Sequence, residues 1–465
     1  MSSGQLQRRL GLVSAISITV GAVIGSGIFL TPLKAAQNVP DVGWLYLLWV
    51  GLGVVCLFGA FAYAELGAMF PEAGGQYAFL REAWGKGVAF LYGWVFFWVI
   101  NSGTVAALAV AFAEGILGVV GYDAAALAER PWLVTLVAAV MILGLALVNH
   151  VGVAVGALLQ NVATFAKVGA LGLLVVGGLM AAFGSGVSTP ETAAVAPAGL
   201  SIAGMVAAFT SIFWAYEGWY QLPFNAAELK RPERNLPLGL ILGMLVLIAL
   251  YTAVNAVYLY AVPFGEMQSL PAGERIAVPV LAVSRIFTPE LANWLTVLIA
   301  ISVMGAANPN FLSSPRAFYA MAQDGLVPKA LQRVSPRYGT PSVSIWTQAV
   351  WAVLLVFVLR SFADITAFVV FAGFLFYALS VAGVYRLRRM LPDVPRPYRC
   401  TGYPFTPALF VVVSVAFVAA LLYDPSERTN ALYGLGILAT GAIYYLGWWM
   451  GGVNAQRLSS GGGSS

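Results

Sequence analysis

Twelve apolar runs, each long enough to cross a lipid bilayer, constrain this chain more than any motif it contains. They fall at 12–37, 43–70, 87–119, 132–149, 157–184, 200–222, 237–262, 291–322, 343–359, 363–388, 405–423 and 429–449. A spanning helix needs about 20 mostly apolar residues. Barrel strands are about half as long and alternate in polarity, which these runs do not. In lipid every backbone N–H and C=O must pair without water, so runs of this kind become helices. The composition agrees: 60% of residues are hydrophobic and 9% charged, against about 45–50% and about 25% in soluble domains. Only 24 basic and 19 acidic residues are spread over 465 positions, too few to cover a water-exposed surface. A soluble enzyme, a nucleic-acid binder and a disordered scaffold are excluded. The fold class expected is an all-α polytopic membrane protein of twelve helices.

The loops set the orientation. With the N-terminus inside, 17 of the 24 Lys and Arg fall in inside segments and six outside, and Lys167 stays within a span. Positive charge stays on the cytoplasmic side, so both termini are expected in the cytoplasm, with 1–11 as a short cytoplasmic N-terminus. The opening MSSGQLQRRLGLVSAISITV imitates a signal peptide, but the run continues to Pro32 without an A-x-A end. It reads as a retained first span. The stretch 265–288 carries Glu266, Glu274, Arg275 and Arg285 and reads as an external loop with short helices; residues 450–465 read as a flexible tail. Cys56 and Cys400 lie too far apart in this layout to suggest a disulfide framework.

Two spans are interrupted. The first reads ITVGAVIGSGIFLTP, with Gly21, Gly25, Ser26 and Gly27 close together. Each glycine costs about 1 kcal/mol against alanine in a helix interior. The sixth reads FTSIFWAYEGWYQLPF, with Glu217 and Gly218 at mid-span and Pro223 beyond. Packing alone also explains glycines in membrane helices. Two breaks five spans apart, however, are the pattern of an inverted repeat with a substrate site at its centre. An opened helix exposes amide N–H groups on one side and carbonyls on the other. The first attract a carboxylate and the second an ammonium, and a zwitterionic α-amino acid carries both.

Several segments carry a resemblance to a known family. VGAVIGSGIF at 20–29, FPEAGGQYAFLREAWG at 70–85, FWAYEGWYQLPFNAAELKRPERNLP at 213–237 and SSPRAFYAMAQDGLVP at 313–328 resemble the amino acid–polyamine–organocation superfamily. NHVGVAVGALLQNVATFAK at 149–167 and RPYRCTGYPFTP at 396–407 resemble its L-type amino acid transporter branch and bacterial relatives of that branch. The resemblance implies a LeuT-like fold of two inverted five-helix repeats, here 12–184 and 200–388, plus two accessory helices within 405–449. It implies that Ser26 and Gly27, with Gly25, receive the substrate carboxylate. Main-chain carbonyls near Val23, Trp214 and Glu217, with Ala215 and Gly218 in the same segment, would receive the amine. Trp214 matches an aromatic gate, where several L-type members carry phenylalanine. Lys167 matches a lysine whose ammonium replaces the sodium ion that related symporters bind between helices 1, 5 and 8.

Charged groups at membrane depth are functional hypotheses by default. Glu217 admits three roles: selecting cationic side chains, carrying a proton, or capping a broken helix end. Glu65 and Glu114 lie near span ends and read as structural or interfacial. His150, the one histidine, reads as solvated at the inner end of span 4. Asn308 and Pro309 are expected to interrupt span 8, and Tyr92 and Trp94 to sit at the membrane interface. The basic loop from Arg386 to Arg399 is expected to face anionic lipid heads.

The expected function is secondary active transport of amino acids by alternating access, as sodium-independent exchange. Proton-coupled symport and a polyamine or cationic amino acid permease are the alternatives. An enzyme is not expected, because no nucleophile–base pair or metal cluster is legible. A nucleotide-driven pump lacks GxxxxGK[ST], and a channel does not call for paired broken helices. No cofactor, metal or nucleic acid is expected. The expected partners are a small amino acid and the lipid bilayer of the cell membrane, and a homodimer is compatible with the sequence. The resemblance implies no disulfide-linked heavy chain, because the loop GYDAAALAERP between spans 3 and 4 has no cysteine.

Overall fold

The structure, a computed structural model, describes residues 6–122, 124–184, 199, 201–271, 277–359 and 362–461. The apolar runs fold as helices throughout. The first half comprises α1 (Leu12–Val23), α2 (Gly27–Leu30), α3 (Pro32–Gln37), α4 (Val42–Met69), α5 (Gln76–Trp84), α6 (Lys86–Val95), α7 (Ser102–Val119), α8 (Ala124–Glu129), α9 (Pro131–Val151) and α10 (Val153–Phe183). The second comprises α11 (Ile202–Tyr216), α12 (Pro232–Ala261), α13 (Phe264–Ser269), α14 (Ala277–Ile286), α15 (Pro289–Leu312), α16 (Pro315–Gln323), α17 (Ser342–Leu359), α18 (Phe362–Met390), α19 (Phe405–Tyr423) and α20 (Pro425–Gly461). A π-helical segment, Phe96–Asn101, joins α6 to α7, and a 3-10 segment, Leu222–Glu228, follows α11. Among the described residues nine helical stretches are long and apolar enough to cross a membrane. Three of the expected spans fall instead on shorter apolar helices, Ile202–Tyr216, Ser342–Phe357 and Ala431–Gly447.

Local chemistry explains the helix boundaries. The Asp41 carboxylate accepts from the Trp44 amide at 3.0 Å and caps α4, and Ser201 and Thr288 cap α11 and α15 in the same way. Proline opens α9, α12, α15 and α16, where its missing N–H costs nothing. Helix α1 packs against α10, α12 and α15, α7 against α9, α15 and α17, and α12 against α4. Outward faces of α9, α10, α17 and α19 expose Leu136, Val140, Leu158, Val162, Val350, Leu354, Val412 and Val415. Such an apolar surface is stable against lipid and not against water.

Several expectations need correction. Asn308 and Pro309 do not interrupt the eighth span, because α15 runs through Pro309 to Leu312. A proline removes only one ladder bond, and the next turn closes when the Ser313 amide donates to Pro309 O at 2.7 Å. The chain breaks at Ser313–Ser314 instead. The sixth span does not resume as an α-helix after its break but as the 3-10 segment. Helix α20 continues to Gly461, beyond the boundary at 449. Tyr92 is fully buried against Phe96 and Phe376 rather than interfacial. His150 is half-buried, its ring set against Tyr338 and Trp346. Glu114, read as structural or interfacial, is exposed near the end of α7, which does not contradict that reading. Arg275 and Glu274 lie outside the described residues.

Two ion-pair clusters built on fully buried glutamates tie the helices together. Arg316 of α16 grips Glu228 with two bonds of 2.9 Å, and both side chains are fully buried. Asn225 Nδ2 also donates to Glu228, and Ser313 Oγ donates to Asn225 Oδ1. The Glu228 carbonyl accepts from the amides of Arg9 and Leu10, so the N-terminal segment is stitched to the same point. In the second cluster Arg388 grips the buried Glu65, Arg396 lies 3.3 Å from it, and the Cys400 amide donates to it. Arg386 lies over the Trp84 ring. Three arginines of the basic loop region are therefore engaged within the protein. Both cysteines are free and buried, and burial pushes the Cys400 thiol up to about 11.

Removing one partner of a buried pair typically costs about 3–5 kcal/mol, whereas replacing both with apolar groups costs much less. Arg316→Met is expected to lower the thermal midpoint in detergent, and Arg316→Met with Glu228→Met to recover part of the loss. Equal midpoints for wild type and the single variant would contradict the clamp. Cys400 is expected to resist alkylation at pH 8 until the protein is unfolded.

Candidate functional site

The two breaks face each other at the centre of the bundle. Helix α1 ends where Ile24 turns to an extended conformation, φ −71° and ψ 91°, and α2 begins at Gly27. Helix α11 ends at Tyr216, Glu217 is extended, and Gly218 takes a φ of +109°. Glycine is required at two of these points. A Cβ on Gly27 would lie 2.3 Å from Ala215 Cα, and one on Gly218 would lie 2.9 Å from the Ala22 carbonyl while holding a left-handed backbone. The two unwound segments thus touch backbone to backbone.

Between them lies a small cavity lined by Val23, Gly25, Ser26, Gly27, Trp214, Glu217 and Gly218, together with Ala22, Thr104, Leu108, Tyr220, Gln221, Ala306 and Asn310. Seven of the eight expected binding residues meet here. Ala215 does not line the cavity; its carbonyl accepts from Tyr251 instead. The space amounts to about 20 Å³, room for roughly one water. Trp214 closes one side, its indole N–H donating to Ser26 Oγ at 3.3 Å. The first amides of α2 sit at the start of a helix, where N–H groups have no partner within the helix.

Lys167 lies outside this lining, directly behind the first break. Its Nζ, on the buried face of α10, donates to Ile24 O at 2.6 Å and Gly21 O at 3.1 Å. Gly305 of α15 makes room for it, since a Cβ there would lie 3.0 Å from Nζ. The side-chain nitrogen therefore sits where α1, α10 and α15 meet. Thr164, one turn away, donates to Ser17 O, and Ser302 lies 3.5 Å from Ile24 O.

Glu217 points away from Lys167. Its Oε1 accepts from the Tyr377 hydroxyl of α18 at 2.7 Å, and Oε2 is buried and accepts no hydrogen bond among the described residues. The carboxylate has tyrosine neighbours and, among the described residues, no ion-pair partner, and the bond at the α11 end is made by the Glu217 backbone N–H to Trp214 O, not by the side chain.

Sequence reasoning missed Tyr251. Its hydroxyl lies 3.1 Å from Val23 O and 3.0 Å from Ala215 O, so one phenol on α12 serves both breaks. It also missed the polar floor of the cavity. Gln221 Nε2 donates to Asn310 Oδ1 at 3.0 Å, and Ser314 Oγ donates to Asn101 Oδ1 at 2.6 Å. Buried amides within apolar runs were the available signal for Asn101, Gln221 and Asn310. Tyr251 gave none, since tyrosine is ordinary in a bundle. Among the described residues no cluster of His, Cys, Asp and Glu could hold a metal ion.

The chain matches the family model described as amino acid permease over residues 10–448. It is 31% identical to the b(0,+)-type amino acid transporter 1 of Homo sapiens, over 98% of this chain and 91% of that protein. It is 30% identical to the cystine/glutamate transporter of Homo sapiens, over 95% and 85% of the two chains. Against the large neutral amino acids transporter small subunit 2 of Mus musculus it is 30% identical, over 95% and 81%.

Tyr251→Phe removes the proton shared by Val23 O and Ala215 O, and an unsatisfied buried acceptor costs about 1–3 kcal/mol. The variant is expected to remain folded and to bind ligand at this cavity at least 10-fold more weakly. Gly218→Ala is expected to abolish binding, because a Cβ meets the Ala22 carbonyl. Ligand affinity by scintillation proximity, alongside gel filtration, checks both.

Proposed function

The chain belongs to the amino acid permease family, and we propose that it is a secondary active amino acid transporter that exchanges its substrates by alternating access without sodium. The observation that carries this reading is Lys167. A fixed ammonium bonded to Gly21 O and Ile24 O supplies, at the junction of α1, α10 and α15, the positive charge that a sodium ion would otherwise bring. A site already neutralised by its own cation has no charge vacancy for sodium to fill.

The substrate's shared chemistry is met by main chain. Its carboxylate takes the amides beside Gly25, Ser26 and Gly27, and its ammonium takes carbonyls near Val23, Trp214, Ala215 and Glu217, with Gly218 allowing the turn. A small-molecule site usually spans about 300–1,000 Å³, whereas the cavity here holds about 20 Å³. Entry of an amino acid therefore requires Trp214 to swing from Ser26, which is the part of a gate. The relatives named for neutral amino acids and for cystine and glutamate support an amino acid substrate, and side-chain selection falls to the residues around Trp214 and Tyr220.

The same reading takes twelve crossings, ten of them in two inverted repeats (12–184 and 200–388) with accessory helices in 405–449 and both termini cytoplasmic in the cell membrane. It takes the protein to work without a disulfide-linked heavy chain. Glu217 supports a second reading. A buried carboxylate set among tyrosines, with no ion-pair partner among the described residues, is suited to carrying a proton, which would make the transporter a symporter, or to favouring cationic substrates.

Uptake of a radiolabelled amino acid panel into proteoliposomes tests these readings. Uptake is expected to require internal amino acid and to ignore sodium. Lys167→Ala is expected to reduce exchange at least 10-fold in folded protein, and full exchange in that variant, or a sodium requirement in wild type, overturns the proposal. Uptake into empty vesicles that follows a proton gradient, and is lost in Glu217→Gln, would establish symport instead.

A further inference from the structure

A second cavity, of about 470 Å³, lies away from the broken helices, between the π-helical segment, α16, α17 and α20. Its walls include Trp94, Trp98, Phe318, Met321, Trp351 and Tyr444. Three of the polar groups around it are bonded elsewhere. The Trp94 indole donates to Thr440 Oγ1, the Trp351 indole donates to Trp98 O, and the Thr347 hydroxyl donates to Val343 O. A water fills about 30 Å³ and needs two to four polar partners. This space is far larger and offers almost none, so its occupant is apolar. It opens outward past Val350 and Leu354, which are 55% and 48% exposed on the lipid-facing side of α17.

One rim of the cavity is cationic. Pro328 and Leu331 line it, and the 3-10 turn Lys329–Gln332 that contains Leu331 brings Lys329 to the rim, with the exposed Arg333 following it. Among the described residues neither cation enters an ion pair. Asp324, five residues before Lys329, pairs with Arg81. The charge pattern assigns this rim to the cytoplasmic face.

We propose that the cavity holds an acyl chain of an anionic phospholipid whose head group lies at Lys329 and Arg333. The chain meets the aromatic walls, and the phosphate meets two cations that enter no ion pair among the described residues. The occupant would brace α16 through Phe318 and Met321, one turn from the Arg316–Glu228 clamp.

Native mass spectrometry and thermal midpoints of the full chain in detergent, with phosphatidylglycerol or phosphatidylcholine of identical chains, test the proposal. Phosphatidylglycerol is expected to remain as a discrete 1:1 adduct and to raise the midpoint several degrees more than phosphatidylcholine. Lys329→Gln with Arg333→Gln is expected to reduce phosphatidylglycerol retention at least 10-fold, to the phosphatidylcholine level. Val350→Trp, or Leu354→Trp as a second blocking variant, is expected to remove retention of both lipids. Equal retention of the two lipids by wild type, or wild-type retention in the charge and blocking variants, overturns it. Conversion of a dimer to a monomer by Val350→Trp would assign the cavity to a second copy and overturn it as well.

Discussion

Where a helix opens inside a bilayer, the freed carbonyls have no water to turn to, and each left unpaired costs several kcal/mol. The rest of this structure depends on how that cost is met at the end of α1. Lys167 donates to Gly21 O and Ile24 O, and the Tyr251 hydroxyl lies between Val23 O and Ala215 O. Donors on α10 and α12 thus hold open a segment that would otherwise close into helix. Because Tyr251 touches both breaks, the two segments cannot shift independently.

A continuous polar path leaves this centre toward one end of the bundle. Gln221 and Asn310 pair beneath the cavity, Ser314 donates to Asn101, and Ser313 and Asn225 lead on to Glu228 and Arg316. Each of these groups is buried, and each is costly to expose unpaired. Opening the bundle along this path would require partners to be exchanged rather than simply separated. The N-terminal segment adds to the closure, because the amides of Arg9 and Leu10 end on the Glu228 carbonyl.

The breaks were legible because glycine is expensive in a helix and three of them crowd around Ser26. Glu217 and Lys167 were legible because charge at membrane depth is rare. The misreadings have a shared cause. Pro309 looks like an interruption in one dimension, yet a single missing N–H leaves the other bonds of α15 intact, and the break falls at Ser313–Ser314. Tyr92 has an interfacial composition, but neighbours on α18 bury it. Arg388 and Arg396 look like lipid-facing charges until the fold brings Glu65 between them.

The sequence by itself determined that this chain lives in lipid, where its helices run, and that the first and sixth spans are broken at glycine, because these follow from hydropathy and backbone propensity along the chain. Only the tertiary structure decided which groups meet. That Lys167 reaches Ile24, that Tyr251 lies between two breaks more than 190 residues apart in sequence, and that Glu217 faces Tyr377 rather than a cation depend on how helices distant in sequence pack. Their chemistry is set by those neighbours and not by their own position in the chain.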